Sequence, residues 1–257
     1  MIGELQLAGL LALACLAALH AGGRLGFVAR EMESPMRRWL ALGMLLAVLT
    51  AAVFLPVTTF GRAREFNPDE ANFWALFAGH FLLILFLAAW WLVARKPPLR
   101  EFLALPRQRL ASDVWSGVFA GAVGWAVTLL VTAAVAASSG PLLESQPSEP
   151  PPVMLWLAHL PAWRKAVIVF TAMTVEEAFF RGFLQPRLGL LLSTVLFTLA
   201  HFSYGLPLMV VAVFTISLVF GTLFAVRRNL VPCMIAHGVF DAIQIFAIIP
   251  FAVRQMS

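Results

Sequence analysis

Glu176-Glu177-Ala178-Phe179-Phe180-Arg181 interrupts an apolar run that extends from 163 to 186. Two carboxylates and an arginine stand where an ionised side chain at a bilayer centre costs on the order of 2.5–3.5 kcal/mol. Runs of the same apolar character lie on both sides. A membrane span needs about 20 predominantly apolar residues. Candidates occur near 5–22, 39–60, 73–94, 115–138, 163–186, 189–203, 206–226 and 230–252, the sixth being short. The expected fold class is all-α, a polytopic membrane protein with about eight transmembrane helices.

Composition points the same way. Of 257 residues, 61% are hydrophobic and 12% charged, whereas soluble domains carry roughly twice that charged fraction. The formal net charge of +5 is nearly all arginine, with only Lys96 and Lys165 as lysines. No polar domain displays this excess, so it reads as lipid-facing loops and excludes nucleic acid as a partner. Richness in Ala, Leu and Arg points to a GC-rich, bacterial source and so to the inner (plasma) membrane. Cys15 and Cys233 lie inside apolar stretches and offer neither a disulfide framework nor a metal-type spacing. Residues 5–21 lack the basic flank of a signal peptide and read as a retained first span.

The longest polar connections are 23–38, 61–72, 95–114 and 139–152. The last is rich in Pro and Ser and reads as an extended loop. It separates an N-terminal membrane region of four spans (1–152) from a C-terminal region (153–257) that holds nearly every suspicious polar residue. Residues 153–161 are expected to form a short interfacial helix anchored by Trp156. Counted by side, Arg24, Arg30, Arg37, Arg38, Arg95, Lys96, Arg100, Arg107, Arg109, Arg181, Arg187, Arg227 and Arg228 oppose Arg62, Arg64, Arg164, Lys165 and Arg254. This bias places loops 23–38, 95–114, 187–189 and 227–229 in the cytoplasm and both termini outside.

Depth connects the polar residues. The fifth and sixth spans turn near Pro186-Arg187-Leu188-Gly189. Glu177 precedes Gly189, and His201 follows it, by about 12 residues each, so both fall roughly 15–18 Å from the turn. His237 and Asp241 lie about 12–18 Å below the turn at Arg228-Asn229 on the same side. Glu177 and Arg181 are i,i+4 and can pair, as can His237 and Asp241. Glu176 sits about 100° round the helix from Glu177. One arginine therefore cannot satisfy both carboxylates, and one of them should face a polar cavity. Such a set can activate water, with a glutamate as general base and imidazoles orienting the water or the developing oxyanion. It equally suits a zinc site made by Glu176, His201 and His237 with an open water position. Spacing leaves both readings open.

Glu176-Glu177-x-x-x-Arg181, Phe197-x-x-x-His201 and His237-x-x-x-Asp241, in that order on successive spans, resemble the CPBP family of intramembrane proteases. That group comprises the CAAX proteases and bacteriocin-processing proteins, including the type II CAAX prenyl endopeptidase. The resemblance covers roughly 160–245. It implies an endopeptidase acting on membrane-anchored or lipidated peptide segments near the cytoplasmic face. Glu176 would be the general base assisted by His201, Glu177 and Arg181 would support and orient, and His237 and Asp241 would stabilise the oxyanion. An ionised Asp241 cannot donate a hydrogen bond, so it would be protonated or would orient His237. The resemblance favours a mechanism without a cofactor over one using a divalent metal such as zinc.

Two non-catalytic readings stand beside it. One is a carrier using the same buried carboxylates, although carriers usually show matching halves and these polar residues crowd into one half. The other is a scaffold or bacteriocin-immunity protein. Phe197 reads as packing, and Tyr204 either lines the site or anchors an interface. His20, His80 and His159 have no motif partners and read as interfacial or packing residues.

Overall fold

A computed structural model describes residues 2–60, 66–105, 110–139 and 151–256. No strand occurs among them. A bilayer offers no water to backbone polar groups, and a helix satisfies its own. The apolar segments form α1 (Glu4–Ala21), α2 (Pro35–Thr58), α3 (Phe73–Val93) and α4 (Leu110–Ser138). There follow α5 (162–188), α6 (Leu190–Leu199), α7 (Pro207–Arg227) and α8 (Leu230–Gln255). Of these, α1, α2, α3, α4, α7 and α8 are the 6 that are long and apolar enough to cross a membrane.

The expected count of eight thus exceeds the helices able to span by length and composition. α5 is burdened by Arg164, Lys165, Glu176, Glu177, Arg181 and Arg187. α6, with 10 residues, is only about 15 Å long. The two helices that fall short are those that carry the acidic motif and lead into His201.

Local chemistry sets the boundaries. Ser34 accepts the Arg37 N–H with Pro35 in the first turn of α2, and Asn229 caps α8 through the Val231 N–H. The hairpin between α5 and α6 turns at Gly189, whose φ of 92° and ψ of 168° suit a residue without Cβ. Between Pro152 and His159 the expected short helix is present, and Trp156 meets the Phe66 ring at 5.5 Å.

Glycine permits the closest helix packing. A Cβ at Gly117 would come within 2.6 Å of Ile235 Cβ, and one at Gly121 within 2.6 Å of the Ala236 carbonyl oxygen. α4 therefore lies directly against α8, and also against α7, as small residues allow in membrane bundles. Large apolar side chains such as Trp115, Phe119, Leu130 and Leu191 remain exposed, as a lipid-facing surface requires.

All four loops expected in the cytoplasm converge at one end. Phe27, Arg30 and Glu31, then Pro97 and Glu101, then Pro186 and Arg187, and finally Arg228 line one cavity of about 620 Å³ there. Glu31 ties that end together by accepting from Arg187 and from Trp90 Nε1, each at 2.9 Å. At the opposite end Phe73 meets Trp163, and Phe60 meets Phe202. The relative sidedness of the basic loops therefore agrees with the charge count. Arg62, Arg64, Arg107 and Arg109 of that count, and 140–150 of the Pro/Ser-rich loop, lie outside the described residues.

Candidate active site

The acidic motif occupies irregular helix. α5 widens into π-helical turns over Ala172–Glu176 and Ala178–Leu184, a feature often found at functional sites. The two adjacent glutamates point into different environments. Glu177 is 0% exposed, and Arg181 is 1% exposed. Their carboxylate and guanidinium meet at 2.9 Å, as the i,i+4 spacing anticipates. The same Glu177 oxygen, Oε1, lies 2.9 Å from His237 Nδ1. Arg181 also donates to the Ser217 hydroxyl and carbonyl on α7. One turn on, Gln185 donates to the Gly221 carbonyl at 2.7 Å. These pairs, 181 with 217 and 185 with 221, lock α5 and α7 in parallel register.

His237 joins two acids. Nδ1 faces Glu177, and Nε2 lies 3.3 Å from Asp241 Oδ2. Both contacts are hydrogen bonds only if the ring carries two protons or one acid carries one. The Asp241 contact is long for a charge-assisted bond, which usually measures about 2.7–2.9 Å. Asp241 is also the more exposed partner, at 20% against 7% for His237. It is therefore the replaceable side of the pair.

Glu176 has different company. Its Oε2 is buried without a hydrogen-bond partner and faces His201 Nε2 at 3.8 Å. His201 is oriented by the end of α6. The His201 backbone N–H turns to the Thr198 carbonyl, so the Phe197 carbonyl is free to accept from His201 Nδ1 at 2.7 Å. A carbonyl only accepts, so the proton sits on Nδ1 and the neutral ring presents a bare Nε2 to Glu176. This explains the Phe197-x-x-x-His201 spacing. Phe197 also packs as expected: its ring stacks on His201 at 4.5 Å and carries the Arg181 guanidinium at 4.4 Å. Tyr204 stacks beyond His201 at 6.3 Å, which places it beside the site.

The sequence reading missed one member. His80, on α3, points Nε2 at Glu176 Oε1 from 3.0 Å. It is a packing residue only by motif. The depth count would have found it, because His80 lies about 13 residues before the basic end of α3, as Glu176 does in α5. His20 and His159 show no such contact: His20 ends α1, and His159 bonds its own helix at Leu155.

The six expected residues and His80 thus form two halves. Glu177, Arg181 and His237 are sealed and meet through Glu177 Oε1, with Asp241 at their edge, while Glu177 Oε2 has no hydrogen-bond partner. Glu176, His80 and His201 keep side-chain exposures of 14%, 20% and 22%. A metal held by Glu176, His201 and His237 does not fit this arrangement, because both ring nitrogens of His237 face carboxylates. Among the described residues no three His, Cys, Asp or Glu side chains form a metal-binding group.

The fold and site define a polytopic all-α membrane protein with a buried carboxylate and imidazole cluster. Residues 158–243 match the family described as type II CAAX prenyl endopeptidase Rce1-like. The match takes in Glu176, Glu177, Arg181, His201, His237 and Asp241 and leaves His80 outside. It agrees with the CPBP resemblance and implies CAAX-type intramembrane protease activity in a lipid setting. No curated protein and no solved structure matches the chain.

Proposed function

We propose that this protein is an intramembrane endopeptidase of the bacterial inner membrane that hydrolyses membrane-anchored or lipidated peptides with a water activated by Glu176. The observation that carries this reading is the pairing of two acceptors, Glu176 Oε2 and His201 Nε2, at 3.8 Å. They are too far apart to bond directly, and a water between them can donate one proton to each. Glu176 takes one proton as the water oxygen attacks the scissile carbonyl carbon. It then delivers that proton to the leaving amide nitrogen as the C–N bond breaks. The oxyanion formed in between accepts a hydrogen bond from His237 Nε2–H once Asp241 gives way. Glu177 and Arg181 hold His237 in position for that exchange.

The carrier reading is disfavoured by the crowding of the ion-pairing groups into one site. The immunity or scaffold reading gives no reason for an unpartnered Glu176 oxygen beside an oriented imidazole. The test is a comparison of membrane proteomes from cells lacking the gene, complemented with the wild-type or the Glu176→Gln chain. New protein termini restored by wild type and not by Glu176→Gln identify the substrate. Identical terminus profiles would reject the protease.

A further inference from the structure

We propose that His80 is a positioning residue for the catalytic base, holding Oε1 of Glu176 so that Oε2 alone is left to take the proton from water. The inference rests on the protease reading above and adds a residue from the N-terminal membrane region, outside the matched segment 158–243.

The hydrogen-bond inventory gives the direction of the contact. An ionised carboxylate only accepts, so the bond of 3.0 Å between His80 Nε2 and Glu176 Oε1 requires a proton on Nε2. His80 Nδ1 is buried with no hydrogen-bond partner. That suits the neutral tautomer, in which Nδ1 has no proton to place. The imidazole is thus a one-proton donor aimed at one oxygen. The tautomer of His201 is the reverse, with Nδ1–H tied to the Phe197 carbonyl and a bare Nε2 turned to Glu176. The two histidines act in opposite senses on the same carboxylate: one donates to Oε1, and the other offers an acceptor opposite Oε2.

This division has a chemical consequence. A carboxylate free to rotate offers either oxygen and loses the alignment a general base needs. With Oε1 held, the plane of the carboxylate is set, and Oε2 stays opposite His201. His80 keeps its own proton throughout, while the proton from water moves to Oε2 and then to the leaving nitrogen. α3 supplies His80 from a rigid start. Asn72 caps a tight turn over Phe73–Phe77 that leads into the helix, and the Phe77 ring lies 6.0 Å from the imidazole.

The test uses the full-length protein in membranes, with the substrate terminus found by the proteome comparison as the readout. His80→Ala should lower kcat roughly tenfold to a hundredfold and leave KM nearly unchanged. His80→Gln should recover most of the rate, because its amide N–H reaches the position of Nε2. His80→Asn, which is polar but too short, should resemble His80→Ala. Wild-type kcat in His80→Ala, or equal losses in His80→Gln and His80→Asn, would overturn the assignment while Glu176→Gln remained inactive. Full activity in Glu176→Gln would instead reject the protease reading, and this inference with it.

Discussion

Glu177 Oε1 and His237 Nδ1 lie 2.9 Å apart, with side-chain exposures of 0% and 7%. Sixty residues separate them in sequence, and Arg181 shares the same oxygen. Glu177 is therefore structural first, and the proposed mechanism gives the chemistry to its neighbour Glu176. Glu177→Ala leaves a buried guanidinium and imidazole without their common partner, a loss of about 3–5 kcal/mol. Its apparent melting temperature in detergent should fall well below wild type. Glu176→Ala, which removes a partly exposed group, should melt close to wild type. Equal melting of the two variants would contradict this division.

His201 is held by the Phe197 backbone rather than by the Phe197 ring alone. His201→Ala should cost roughly 10²–10⁴-fold in kcat/KM, the usual range for a proton-handling group. Phe197→Leu keeps the carbonyl and should cost less than about tenfold. Steady-state rates on the identified substrate decide the matter.

Both ring nitrogens of His237 face carboxylates, so the Glu176, His201, His237 set is not arranged as a metal site. Cleavage by the purified protein should survive prolonged chelator treatment, and elemental analysis should find zinc well below one equivalent. Loss of activity on chelation, restored by zinc, would contradict the water-activation scheme proposed for Glu176.

The convergence of the basic loops on one cavity makes a topological prediction. In a background of Cys15→Ala and Cys233→Ala, cysteines at Arg30 and Arg228 should react with an impermeant maleimide only after cells are opened. A cysteine at Trp74, exposed at the opposite end of the bundle, should react in intact cells. The reverse pattern would place the basic loops outside.

Much of this arrangement is legible in the sequence because hydrophobic length and helical rise are simple geometry. Six of the eight expected spans, and the Glu177–Arg181 and His237–Asp241 pairs, follow from hydrophobic length and spacing alone. His80 escaped because no motif names it, although the same depth count applied to α3 puts it level with Glu176. The π-helical turns around Glu176 leave no mark in the apolar pattern. The Glu177–His237 contact joins residues 60 apart in sequence, and no local spacing announces it. The division of spanning from non-spanning helices was also hidden, since charge inside α5 reads as function and as a failure to span at once.

The central claim is that a water activated by Glu176 attacks the substrate directly. Its most direct test is a single turnover with excess enzyme in water enriched in oxygen-18, analysed by mass spectrometry. The account predicts one heavy oxygen in the new carboxyl terminus of the first product and none in the peptide containing Glu176. A first product without label, together with oxygen-18 in the Glu176 carboxyl group, would show that Glu176 attacks the carbonyl itself and would contradict it.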